Sequence, residues 1–414
     1  MPKRYLRWLW ASCWIFASPP TFALEFDARV KWFGTASALP SHDIQRLQDQ
    51  TPAYDTNIDL RLMFRQETGS FRFLVDHSTT LISGDSFGFF NAPQTTLDQS
   101  PTDDERRVMD LTWEIEDGSR HRSLHRLDRL AMQYQQGDWS VTLGRQAVSW
   151  GNGLVFQPLD LFSPFAPTTV DRDYKAGDDL LLVERLFADG SDVQLLVVGR
   201  RDADEDLTGQ AGSAAVKWHG FFGEGELELV AAKHYTDAVY GISGRFPMGG
   251  ALVRSDIVAT HLRDGDWEIS GIVNVDYGLT LLERTAYVFA EYFHNGFGVD
   301  DIPGSVVALP PELLERLGRG EVFNVMRDYL AVGATLQWHP LWTQSLVVIG
   351  NLHDGSSLLQ TSLSYEPGDH QRMQFGWVEP LGSAGDEFGG LPLLGDAITT
   401  GGASTVFVRW LYYF

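Results

Sequence analysis

The last eight residues, FVRWLYYF (407–414), end the chain on an aromatic ring. Read two by two, Val408, Trp410, Tyr412 and Phe414 share one face, and Phe407, Arg409 and Leu411 share the other. Period-two alternation marks a strand whose two faces meet different surroundings. A segment this apolar needs burial, yet the chain's formal net charge is -23. The same period recurs upstream. NIDLRLMFRQ (57–66) sets Ile58, Leu60, Leu62 and Phe64 against Asn57, Asp59, Arg61, Met63 and Arg65. FRFLVD (71–76) sets Phe71, Phe73 and Val75 against Arg72 and Asp76. WEISGIVNVDY (267–277) sets Trp267, Ile269, Val273, Val275 and Tyr277 against Glu268, Ser270, Asn274 and Asp276.

The connections between such runs fall into two classes. Short turns, such as ETGS at 67, QQGDW at 135, FGEG at 222 and PMGG at 247, alternate with longer segments over 34–53, 80–123, 149–177, 202–210, 295–326 and 379–402. About eighteen strands of about ten residues result, with short turns at one end and long loops at the other. This predicts an all-β fold, a transmembrane antiparallel up-and-down barrel. Lipid cannot satisfy backbone N–H and C=O groups, so a spanning sheet must close on itself. In such a barrel Val408–Phe414 meets lipid, with its aromatic end in the inner interfacial belt.

The N-terminus reads as an export signal. MPKRYLR (1–7) is basic, WLWASCWIFA (8–17) apolar, and SPPTFA (18–23) polar with a small residue at its end, which predicts cleavage after Ala23. The single cysteine, Cys13, lies in that segment, so residues 24–414 form one barrel domain without disulfides. No later run is long and apolar enough for a membrane helix. The acidic balance argues against nucleic acid as a partner. No nucleophile–base spacing suggests an enzyme, and no ligand spacing suggests a metal or other cofactor.

The densest stretch is LGRQAVSWGNGLVFQPLDLFSPFAPTTVDRDYKAGDD (143–179). Pro158, Pro164 and Pro167 bar a regular strand or long helix, while Trp150, Phe156, Phe162 and Phe165 require burial. This predicts a long extracellular loop folded into the barrel mouth. There Arg145, Trp150, Asn152, Asp160, Asp171, Arg172, Asp173 and Lys175 would line a constriction and present polar groups to a solute. Alternation would turn Arg145 outward, so a bulge or the membrane edge is expected near Gly144.

Lumen-facing parity also sorts charge. Arg61, Arg65, Arg72, Arg129, Arg372 and Arg409 fall on strands that barrel closure brings together as a basic arc. Glu226, Glu228, Glu268, Asp276 and Glu291 fall on middle strands as an acidic arc. Opposed arcs would orient a small polar solute, and the arginines would favour an acidic one. The basic run SRHRSLHRLDR (119–129) is a candidate phosphate-facing patch for lipopolysaccharide at the outer rim.

GRQAVSWGNGLVFQPLDLF (144–162) after a barrel strand resembles the porin-like proteins related to alginate-export channels. That resemblance implies passive diffusion through an eighteen-stranded barrel. The terminal strand resembles the outer-membrane signature read by the barrel-assembly machinery, through Trp410, Tyr412 and Phe414. The function expected is a porin-like channel in the cell outer membrane. The alternative is a non-conducting barrel that anchors or helps export surface polysaccharide.

Overall fold

The computed structural model describes residues 23–48, 51–90 and 103–414. The export signal expected over 1–23 lies outside these residues, apart from Ala23. The wall begins with β1 (Ala23–Ala38), β2 (Ala53–Thr68), β3 (Phe71–Gly84), β4 (Thr112–Gly118), β5 (His121–Gln136) and β6 (Trp139–Gln146). It continues with β7 (Asp178–Leu186), β8 (Asp192–Val198), β9 (Ser213–Phe222), β10 (Gly225–His234), β11 (Asp237–Met248), β12 (Ala251–His261) and β13 (Trp267–Leu281). Then come β14 (Arg284–His294), β15 (Asp328–His339), β16 (Trp342–Asn351), β17 (Ser357–Gly368) and β18 (Gln371–Leu381). A hairpin of β19 (Leu391–Leu394) and β20 (Ile398–Thr400) precedes the closing strand β21 (Ser404–Tyr413).

The main sheet holds nineteen strands, all paired antiparallel to their neighbours. Eighteen run around the wall, while β4 lies beside the upper part of β5, above the point where β6 ends. Closure is direct: β21 pairs with β1 from Arg29↔Tyr413 to Ala38↔Ser404. Closure pairs the two end strands of the wall, whose open edges lipid could not satisfy. At the terminal end of the barrel, strands are joined by tight turns. The turn after β2 uses Gly69 at φ 58°, and the one after β5 uses Gly137 at φ 57°, left-handed conformations that favour glycine. Long segments cross the opposite end. One carries a short α1 (Asp85–Phe90), and the segment over 295–327 carries α2 (Pro311–Arg319).

Side chains divide as their parity dictates. Trp267, Ile269, Val273, Val275 and Tyr277 are exposed on the outside, as are Ile58, Leu60, Phe71 and Phe73. On β21 Phe407, Arg409 and Leu411 are buried inside, while Val406 and Phe414 are exposed. The terminal backbone N–H of Phe414 donates to Ala28, so the last residue is stitched to the first strand. Strand lengths vary more than expected. β1, β2 and β5 have 16 residues each, whereas β6 has 8 and β8 has 7.

The shortness of β6 leaves a notch that the segment before β4 fills. Leu127 donates to Leu111, Arg107 bridges Arg200, and Met109 donates to Asp179. Gly144, at φ 124°, lies just ahead of this notch, where the pairing of β6 with β5 and β7 stays in register. Arg145 then lies wholly buried in the seam instead of facing lipid or solute. Its guanidinium donates to Asp104 and Asp179 at 2.9 Å and to the Met109 carbonyl at 2.6 Å. The notch is thus closed by a buried ion-pair cluster, Arg145 with Asp104 and Asp179.

Candidate functional site: the constriction loop and its two anchoring walls

Residues 147–177 leave the wall after β6 and cross the lumen. Hydrophobic burial fixes the first half. Trp150, Leu159 and Phe162 pack on Leu180, Leu182, Leu196, Ala215, Val230, Val239 and Val258 from β7 to β12. Trp150 also donates Nε1 to Gln194. Gly241 leaves the hollow for Leu159, because a Cβ there would stand 2.3 Å from its Cδ1. Phe156 stacks on Phe293 with ring centroids 4.5 Å apart.

Carboxylates of the middle strands hold this half by its backbone. Glu291 accepts N–H bonds from Leu154, Val155 and Phe156 at 2.7, 2.9 and 2.8 Å, and the Asn274 amide at 2.9 Å. Asp256 accepts from the backbone of Asn152 at 2.9 Å and from Ser243 Oγ at 2.5 Å. The Asn152 side chain donates to Ser243. Three successive amide donors on one carboxylate form an anion nest, here supplied by the loop.

The second half is held by the opposite charge. Asp171 accepts from Lys31 at 2.8 Å and Arg409 at 2.6 Å. Asp173 accepts from Arg409 at 2.5 Å, with Arg29 and Arg372 at 3.7 and 3.8 Å. Tyr174 lies between Arg61 and Arg129, whose guanidinium carbons stand 3.5 and 4.6 Å from its ring centre. The loop closes on itself through Lys175, which donates to the Val148 carbonyl, Ser149 Oγ and both Asp160 oxygens. Its span is thus clamped between an acidic wall on β12 and β14 and a basic wall on β1, β2, β5, β18 and β21.

The expected constriction set is accordingly divided. Arg145, Trp150, Asp160, Asp171 and Lys175 are buried, and Asn152 is spent on anchoring. Arg145 closes the β6 notch and the others build the loop; they do not line it. Arg172 and Asp173 are the two exposed members. Arg172 donates to the carbonyls of Thr169, Leu154 and Pro167, and among the described residues no carboxylate lies within ion-pairing distance of it.

The basic arc occupies the inner wall, but much of it is covered and paired. Arg61 pairs with Asp128, and Arg129 donates to the Lys175 carbonyl. Arg65 pairs with Asp27 and Arg72 with Glu67 near the terminal end, away from the loop. In the acidic arc Glu226 meets Arg245 and His219, Glu228 meets Lys217, and Asp276 meets Arg254. Glu268 lies apart from the loop, near the top of β13. The basic run at 119–129 is likewise matched, with Arg120 on Asp85, Arg122 on Asp117 and His121 on Glu116. Arg29, Lys31, Asp256 and Asn274 were not expected at the site. All four have inward parity on alternating strands, so their sequence signal was present.

Above the loop lies a vestibule of about 360 Å³. Phe33, Ile82, Phe87, Leu358 and Phe388 line it, and Ala166, Pro167 and Thr168 supply its loop side.

No family model matches the sequence, and no curated protein does. Solved structures do match in fold. Pseudomonas aeruginosa OccK2 (OpdF), in complex with glucuronate, aligns over 95% of this chain and 98% of its own. The identity is 11% and the TM-score 0.50. OpdK of the same organism, with vanillate, aligns over 95% and 98% at 10% identity and a TM-score of 0.51. OccK11 (OpdR) aligns over 94% and 96% at 9% identity and a TM-score of 0.53. This chain has the fold of outer-membrane channels. The three structures are Occ channels, so kinship with alginate-export channels stays an expectation from residues 144–162.

Proposed function

We propose that this barrel is a passive channel of the cell outer membrane for a small acidic solute. On this reading it is exported on residues 1–23, inserted by the barrel-assembly machinery through Trp410, Tyr412 and Phe414, and surrounded by lipopolysaccharide. One observation carries the solute's charge: the constriction loop presents an exposed guanidinium, Arg172, without a carboxylate partner among the described residues. Its three donors to backbone carbonyls hold it in place and leave its charge uncompensated by direct contact. A fixed cation at a narrow, wet passage raises the local concentration of anions.

The test is the reversal potential of the reconstituted barrel in a salt gradient. A unit charge about 5 Å from a permeating ion in water is worth about 0.8 kcal/mol, or about fourfold in selectivity. Arg172→Gln is expected to lower the anion-to-cation permeability ratio by about that factor. A ratio indifferent to Arg172 would remove the support for an acidic solute. Absence of any conductance would favour the non-conducting scaffold.

A further inference from the structure

Closure of the wall leaves one strand outside the ring. β4 pairs with β5 alone, from Thr112↔Arg126 to Gly118↔His121. Among the described residues no other segment hydrogen-bonds to the backbone of its far edge. Height explains why the fold tolerates this. Thr112 lies opposite Arg126, and β5 ends at Gln136 beside a tight turn. The tilted strand between them rises about 25 Å, the height of an apolar band, so β4 starts at the band's upper edge and runs outward. Water satisfies its open N–H and C=O groups there, as hydrocarbon could not. Such an edge is a template for a further strand.

The side chains of β4 select what that strand can be. Glu114 and Asp117 share the inner face, with Arg122 at 3.5 and 3.1 Å from them. Glu116 shares the outer face with Trp113, and His121 stands 3.2 Å from it. All three carboxylates are exposed, whereas Arg122 is mostly buried beneath them, over the Phe87 ring. Carboxylates on both faces give the edge one preference whichever way an incoming strand turns its side chains. Opposite charges across a strand pair are favourable and like charges unfavourable. A second β4 laid antiparallel would set carboxylate against carboxylate, and lipopolysaccharide phosphates would be repelled in the same way. The bulge at Ile115 interrupts the register but leaves Ile115 and Trp113 exposed as apolar contacts.

We infer that the free edge of β4 is a docking site for an extended, basic segment of another polypeptide. That segment adds to the sheet as one more strand, with lysine or arginine against Glu114, Glu116 and Asp117 and an apolar residue over Trp113. Backbone hydrogen bonds supply the affinity, and the carboxylates choose the partner. The site lies outside the ring, so it stands whether or not the pore conducts.

The experiment holds the folded barrel in uncharged detergent and titrates it with a fluorescent peptide in which lysine and valine alternate. Saturable binding that slows hydrogen exchange over 112–118 is the expected result. The same peptide with every backbone N–H methylated keeps its charge but cannot pair, and its affinity should be lost. Replacing its lysines by glutamate should abolish binding as well. Glu114→Gln combined with Glu116→Gln should weaken the lysine peptide about fivefold, the scale of two exposed ion pairs. Retained heat-modifiable migration in gels verifies that this variant is folded. Failure of the lysine peptide to bind, or binding that leaves exchange over 112–118 unchanged, overturns the inference. Equal binding of the methylated peptide overturns it too, because charge adsorption alone would then suffice, and so does equal binding of the glutamate peptide.

Discussion

Replacing Glu291 by glutamine tests whether the loop is held by the acidic wall. The change is nearly isosteric, so packing of Phe156 on Phe293 is preserved. What changes is the receiver of three backbone N–H groups within 2.9 Å and of the Asn274 amide. A carboxylate can accept all four. A carboxamide offers one oxygen and turns an NH₂ toward the donors, so at least one buried amide loses its partner. Hydrogen bonds to a charged group contribute about 1.5–3 kcal/mol, and a stranded buried donor costs about 1–3 kcal/mol. A net loss of about 3 kcal/mol in loop docking follows, equivalent to about a hundredfold more frequent local opening. Hydrogen exchange of peptides covering 150–160 should therefore accelerate about a hundredfold in E291Q, while wall peptides stay protected. Single-channel recordings should show larger, noisier conductance. Wild-type protection over 150–160 in a folded E291Q barrel would refute the anchoring role.

Three further outcomes follow from the same geometry. Lys175→Met leaves Asp160 buried without its cation and strips a donor from Val148 and Ser149, a loss of about 3–5 kcal/mol visible as a lower unfolding temperature. Gly241→Ala puts a methyl 2.3 Å from Leu159 Cδ1 and should cost about 1–3 kcal/mol, read as faster exchange over 157–163. Glu387, in the loop after β18, is pushed up to about 7 by burial, and it receives Tyr329 Oη, Asn351 Nδ2 and the Val325 backbone N–H. A folded-state pKa raised above the unfolded one means stability present at low pH and lost as pH rises through about 7. Exchange over 382–390, corrected for its intrinsic pH dependence, should quicken from pH 6 to pH 8, and a flat profile would count against this.

The architecture was legible because lipid enforces it. A lipid-facing strand cannot mix faces, so period two survives in β2, β3, β13 and β21 and identifies them without any contact information. The long loop expected over 149–177 occupies 147–177. Strand length was less legible. β5 runs well past ten residues because it carries both β4 and β6, one beyond the other, along the edge opposite β3. The β6 notch was hidden for a related reason. Gly144 adopts a φ of 124° just before it, and only the fold shows that residues 103–111 arrive there to pair with Arg145.

The site was half legible, and the missing half is instructive. Sorting charge by parity locates the two walls but cannot tell what reaches them first. In a wide lumen water would, and the arcs would act on solute at a distance. Here the loop reaches them. Its first half offers backbone N–H groups to Glu291 and Asp256, and its second half offers carboxylates to Lys31 and Arg409. A strap crossing an aqueous bore cannot rely on apolar packing alone, because half of its surface stays wet. Opposite charges on opposite walls give it two unlike docking chemistries and hence one direction of crossing. Much of the charge that looks like a selectivity filter is thus consumed in holding the loop. On the proposed reading selectivity falls to what is left over, Arg172 above all, which no count of lumen charges could single out.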